Sequence, residues 1–133
     1  MKFYIFFSII FHLNNLLIAQ QALPEGCLDA FRSAALNSHN KFRSLNGASP
    51  LTESSAIDTS ALTYAKQMAK SNDFAHSGNL EFGENIYETT WSLGGQNLDV
   101  SYCSQFGAEC VASWYNEINL YDFSNQGEKI FKT

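Results

Sequence analysis

The side chains best suited to chemistry in this 133-residue chain are His76, Glu84 and Glu117. One imidazole and two carboxylates can ligate a divalent cation, or work as acid and base if held together. Their positions read as a loop, a strand and a helix, so spacing alone does not say that they meet. Glu117 follows Trp114 by three residues and precedes Tyr121 by four, at the border of an apolar helical stripe. A carboxylate there is partly desolvated and must find donors. The same pattern also describes an ordinary exposed glutamate at the margin of an amphipathic helix, and pattern alone favours that. His39 lies between Ala35 and Phe42 on an apolar face, where a core histidine satisfied by backbone or by Asn40 is favoured over a ligand or an acid/base group. Trp114-Tyr115 reads as core before it reads as a ligand platform. Gly94-Gly95 has neither a basic residue nor a helix start behind it to cradle phosphate. The chain contains no His-Glu-x-x-His helix and no Gly-x-Ser-x-Gly elbow.

The elements that must position these residues follow from hydrophobic period. Leu28, Phe31, Ala35, Phe42 and Leu45 recur at helical spacing, and Asn46-Gly47 followed by Pro50 marks the end of that helix. A second helix is expected from Ser55 to Lys70, with Ile57, Ala61, Tyr64, Ala65 and Met68 on one face and Lys66 and Lys70 suiting its C-terminal half. Ser71-Asn72-Asp73 ends it. Phe74 to Phe82 reads as a loop, and Glu84-Asn85-Ile86-Tyr87 after Gly83 as a short strand. Trp91 to Gly107 reads as an irregular excursion, and a third helix is expected from Ala108 to Leu120 with Val111, Trp114, Tyr115 and Ile118 as its stripe. A lone strand leaves its N–H and C=O groups unpaired, so either Glu84 to Tyr87 is not a strand or its partners are expected beyond the end of this chain.

Lys2 followed by the apolar run Phe3 to Phe11, broken at His12, Asn14 and Asn15 and resumed at Leu16 to Ala19, has the makeup of an export leader cut after Ala19 or Ala22. It is too short and too interrupted for a spanning helix, and no later run is long enough, so no membrane span is expected once the leader is removed. About 110 residues remain, enough for one domain. The formal charge is −5 with no Lys/Arg cluster, so nucleic acid is excluded as a partner. Export permits disulfides. Of Cys27, Cys103 and Cys110, the last two close a short loop containing Gly107 and are expected to pair. Cys27 then has an intermolecular partner, remains a free thiol, or marks missing sequence.

Five segments in order resemble one family. They are His39-Asn40-Lys41-Phe42-Arg43, Ala75-His76-Ser77, Gly83-Glu84-Asn85-Ile86, Trp114-Tyr115-Asn116-Glu117-Ile118 and, before them, the leader; Tyr121 extends the fourth. Together with the second helix (Leu51, Ile57, Ala61, Tyr64, Ala65) they resemble the CAP superfamily, the SCP-domain group of cysteine-rich secretory proteins, venom antigens and plant pathogenesis-related proteins. The resemblance implies an α+β fold, an α-β-α sandwich, with a pocket of two histidines and two glutamates that binds a divalent metal in some members. His76, Glu84 and Glu117 take three of those places, with His76 the metal ligand if a cation such as zinc is bound. Asn40 and Arg43 take structural positions of the first helix. The second family histidine, in a Gly-His-Phe/Tyr-Thr-Gln segment after the third helix, has no counterpart here, since no histidine follows His76. The chain is therefore expected to be an incomplete sandwich with three helices and one strand: leader 1–19, partial domain 28–123 and divergent tail 124–133. By resemblance it is a secreted, non-enzymatic binding module for sterol, lipid or an extracellular protein. A metal-dependent hydrolase on His76, Glu84 and Glu117, or a truncated product without function, are the alternatives.

Overall fold

The computed structural model describes residues 23–90, 98–121 and 123, and the backbone of residues 5–12. Strand β1 (Ile5–His12) is followed by helix α1 (Cys27–Leu45), helix α2 (Ser55–Ser71), strand β2 (Gly83–Thr90) and helix α3 (Val100–Asn116), which tightens into a 3-10 turn over Glu117–Leu120. The fold is α+β, with three helices and a two-stranded sheet among the described residues.

Helix α1 carries Asp29 in its first turn and Arg43 in its last, each opposing the nearer end of the helix dipole. It stops where Gly47 takes φ +67°, letting the Ala48 N–H reach back to the Arg43 carbonyl at 2.9 Å. Asn72, at φ 54°, ends α2 in the same left-handed region. Both helices keep the bounds their periodicity implies, to within a residue or so.

Helix α3 departs from expectation. It begins at Val100, not near Ala108, because the Asp99 carboxylate caps it by accepting from the N–H groups of Ser101 and Tyr102 at 2.7 and 3.2 Å. Gly107, which suggests a break in sequence, is buried within the helix. It lets α3 press on α1: a Cβ there would meet the Ala35 nitrogen at 3.1 Å and would collide with the Phe31 carbonyl oxygen. Around this contact Phe31, Ala35, Phe106, Cys110 and Val111 form the core, none more than 5% exposed.

The disulfide is also corrected. Cys27 bonds Cys103 with a Cα–Cα distance of 5.3 Å, and Cys110 is free and buried. Cys103 and Cys110 share one helix, so seven residues set them about 10.5 Å apart along the axis, beyond the ~7 Å a disulfide can bridge. Cys27 opens α1 and meets Cys103 near the start of α3, so the bond ties the same helix pair whose side chains make the core. Burial pushes the Cys110 thiol up to about 12.

Strand β2 spans the expected Glu84–Tyr87, extended at both ends, and it is not alone. β1 pairs with it in parallel, Ile5 opposite Gly83 through His12 opposite Thr90. Part of the expected leader is thus a strand here, while the expected cut after Ala19 and the tail 124–133 lie outside the described residues. Helix α2 packs against β1. Helix α3 is fastened to β2 by the Trp114 indole, which donates to the Ile86 carbonyl at 3.0 Å. Among the described residues no helix is long and apolar enough to cross a membrane.

Candidate functional site

Two of the three expected site residues meet. His76 Nδ1 lies 2.7 Å from Glu84 Oε2, and the same oxygen accepts from the Ser77 N–H at 2.9 Å. The loop that presents His76 is held from three sides: the Tyr64 hydroxyl donates to the Ala75 carbonyl at 2.7 Å, the Asn79 N–H donates to the Ser77 hydroxyl at 3.1 Å, and the Glu81 N–H donates to Asn79 Oδ1 at 2.8 Å. The imidazole is 65% exposed, but the Glu84 side chain is only 8% exposed. Burial alone would raise the Glu84 pKa. Hydrogen bonds from the hydroxyl and N–H of Ser77, and then from His76, outweigh it and hold the carboxyl below the ordinary range. Its Oε1 is buried with no hydrogen-bond partner among the described residues.

Glu117 does not complete this pair. It is exposed at the junction of α3 and the 3-10 turn, and among the described residues no three His, Cys, Asp or Glu side chains gather closely enough to hold a metal ion. Zinc requires three protein ligands even at an open catalytic site. His76 and Glu84 offer one nitrogen and one carboxylate, so the described donor set does not fit zinc.

The neighbouring motif residues are structural. Asn40 clamps the connection between α1 and α2, donating to the Leu51 carbonyl at 3.1 Å and accepting from the Leu51 N–H at 2.7 Å. Arg43 Nε donates to the Ser49 carbonyl at 2.6 Å. His39 stacks on Trp114, ring centres 6.0 Å apart, and Tyr87 meets the same indole edge-on. Burial, then the charge of Arg43, lowers the His39 pKa to about 4, so it is a neutral packing residue near pH 7. Phe42 and Tyr115 stack at 4.0 Å, and the Tyr115 hydroxyl accepts from Asn46 at 3.0 Å.

A second feature has no counterpart in the sequence motifs. An apolar cleft of about 180 Å³ lies between α1 and α2, walled by Leu28, Phe31, Ala61, Leu62 and Ala65, with Leu23 and Ala69 at its margin. Three charged side chains also line it: Arg32, Asp58 and Lys66. Burial, a hydrogen bond to Glu53 and repulsion from its charge together raise the Asp58 pKa to about 6, against the opposing pull of Arg32. Neither His76 nor Glu84 lines this cleft. No sequence signal marks it, because it exists only through the placement of α1 beside α2.

Comparison with known proteins agrees with the motifs. The family model described as the cysteine-rich secretory protein family, CAP, matches residues 36–132. The human Golgi-associated plant pathogenesis-related protein 1 is 28% identical over 97 residues, 73% of this chain and 57% of that protein. Protein PRY2 of Saccharomyces cerevisiae is 35% identical over 101 residues, 73% of this chain and 25% of its own length. A probable pathogenesis-related protein of Candida albicans is 36% identical over 90 residues, 68% of this chain and 24% of that protein. The chain thus spans between a quarter and rather more than half of these relatives. No solved structure matches. Motif order, helix-one clamp and family match agree: the chain belongs to the CAP family of cysteine-rich secretory proteins.

Proposed function

We propose that this CAP-family protein is exported and acts without catalysis, as a binding module for an amphiphilic lipid or sterol. The observation that carries the reading is the cleft between α1 and α2. Its wall of Leu28, Phe31, Ala61, Leu62 and Ala65 suits an acyl chain or a sterol ring edge, and Arg32 and Lys66 supply cations for an anionic or hydroxylated head. Apolar walls with a few polar or charged groups are the usual makeup of a small-molecule site. Titration of the full chain with a fluorescent fatty acid and a fluorescent sterol tests it. Saturable binding is expected, reduced at least tenfold by Ala69→Trp, which places a ring at the cleft margin from a surface position. Absence of saturable binding to either probe, or an affinity unmoved by that substitution, would contradict the reading.

The Oε1 of Glu84, buried beside His76 with no hydrogen-bond partner among the described residues, supports a second reading, a cation site serving hydrolysis whose further ligands come from outside the described pair. Zinc titration of the full chain and of His76→Ala separates the two. Equal zinc affinity in both proteins would eliminate a site at His76.

A further inference from the structure

The cleft between α1 and α2 is charged unevenly along its length. Its α2 wall runs from Asp58 through Ala61 and Ala65 to Lys66, on successive turns of the helix. Asp58 and Lys66 are eight residues apart, about 12 Å along the axis. They therefore mark two separate ends of one apolar wall.

At the Asp58 end the guanidinium is already committed. Arg32, on α1, lies 3.6 Å from the Asp29 carboxylate, and its charge also acts on Asp58. Asp58 shares a hydrogen bond with Glu53, whose charge opposes its ionisation. Asp29, Asp58 and, through Asp58, Glu53 thus draw on one cation. An anionic head entering here would be a further carboxylate beside like charges, which oppose one another at short range. The Lys66 end is different. Lys66 is exposed at the rim, and among the described residues it has no ion-pair partner. A lysine at the edge of an apolar wall lays its stem along the wall and keeps its ammonium in water. A charged head held there keeps much of its own hydration while its tail leaves water.

We infer that Lys66 seats the head of a single-chain anionic amphiphile at the cleft mouth, with the tail running along Ala65, Ala61 and Leu62 toward Phe31, and that the Arg32, Asp58 and Glu53 group opposes the reverse orientation. This rests on the reading of the cleft as an amphiphile site and adds to it the charge of the ligand and its direction. Of the two lining cations, only Lys66 then answers the head. Lys70, four residues on and outside the lining, contributes charge to that side of the molecule but no contact.

Calorimetric titration of the full, oxidised chain with decanoate and with decanol, near pH 7, tests this. The two probes share a tail and differ in the charge of the head. In Lys66→Met, whose unbranched side chain still covers the wall, decanoate should weaken about fivefold, the scale of an exposed ion pair, while decanol is unmoved. Arg32→Met and Lys70→Met should each shift the ratio of the two affinities less than about twofold. A ratio unmoved by Lys66→Met, or moved as far by Arg32→Met or Lys70→Met, overturns the assignment of the head to Lys66 and leaves the cleft an amphiphile site. Saturable binding of neither probe to the unmutated chain overturns both.

Discussion

Replacing Gly107 by alanine tests the closest approach in the fold. In an exposed helix interior the change would stabilise by about 1 kcal/mol, since alanine is the better helix former. Here the added Cβ would collide with the Phe31 carbonyl oxygen and would sit 3.1 Å from both the Phe31 carbonyl carbon and the Ala35 nitrogen. These are backbone atoms of a helix and cannot swing aside as a side chain end would. Relief requires α1 and α3 to part, loosening Phe31, Ala35, Phe106 and Val111 together, and a gap of even ~0.5–1 Å forfeits a quarter to a half of each dispersion contact. Overpacking costs about 1–3 kcal/mol, and an immovable neighbour places this case at the upper end. The net expectation is a loss of about 2 kcal/mol, equivalent to a Tm lowered by roughly 10 °C for a domain of this size. Urea unfolding of the oxidised chain, followed by tryptophan fluorescence, measures it. Unchanged or increased stability in Gly107→Ala would refute the close packing of α1 on α3 through this residue.

Four further expectations concern the cysteines and the carboxylates. The Cys27–Cys103 bond closes a 76-residue separation, so Cys27→Ala/Cys103→Ala should lose about 4 kcal/mol in denaturant unfolding; a loss under 1 kcal/mol would show that the bond does not constrain the unfolded chain as reasoned. Peptide mapping under native alkylation should return Cys27 linked to Cys103, with Cys110 modified only after unfolding; ready labelling of Cys27 would contradict the pairing. Two of the perturbed carboxylates, Asp58 and Glu84, act in opposite directions with pH. Asp58 is raised from 3.8 to about 6 in the fold, so it opposes folding increasingly as pH climbs across that window, and Asp58→Asn should stabilise at pH 7 but not at pH 3.5. Glu84 is lowered, so its contribution is present above the ordinary 4.5 and is lost as pH falls through its folded value; Glu84→Gln should destabilise at pH 7, with the difference vanishing in acid. Unfolding curves at the two pH values would expose either sign as wrong.

Much of this architecture was legible in the sequence, and the parts that were not share a cause. Apolar residues at helical spacing placed α1 and α2 to within a residue or so, since period 3.6 is a local property. The His76–Glu84 pair was legible only through the family resemblance, since a loop histidine and a strand glutamate eight residues apart do not by spacing alone meet. The start of α3 was obscured because Gly107 and the polar residues around it resemble a loop, whereas the glycine is required by contact with another helix. The disulfide was misassigned for a related reason: proximity in sequence suggested Cys103 with Cys110, but a helix between them separates what the chain keeps close, and α1–α3 packing brings Cys27 near instead. The apolar start of the chain fits both a leader and a strand, since either needs a short apolar run. The cleft between α1 and α2 has no local signature at all.

The claim that the cleft takes an amphiphile is tested most directly by photo-crosslinking the full chain with a diazirine-bearing fatty acid and mapping the modified peptides. Adducts are expected within Leu23–Arg32 and Asp58–Ala69, the two stretches that line the cleft, and should be displaced by excess unlabelled fatty acid. Adducts confined to other segments, or undiminished by competitor, would contradict it.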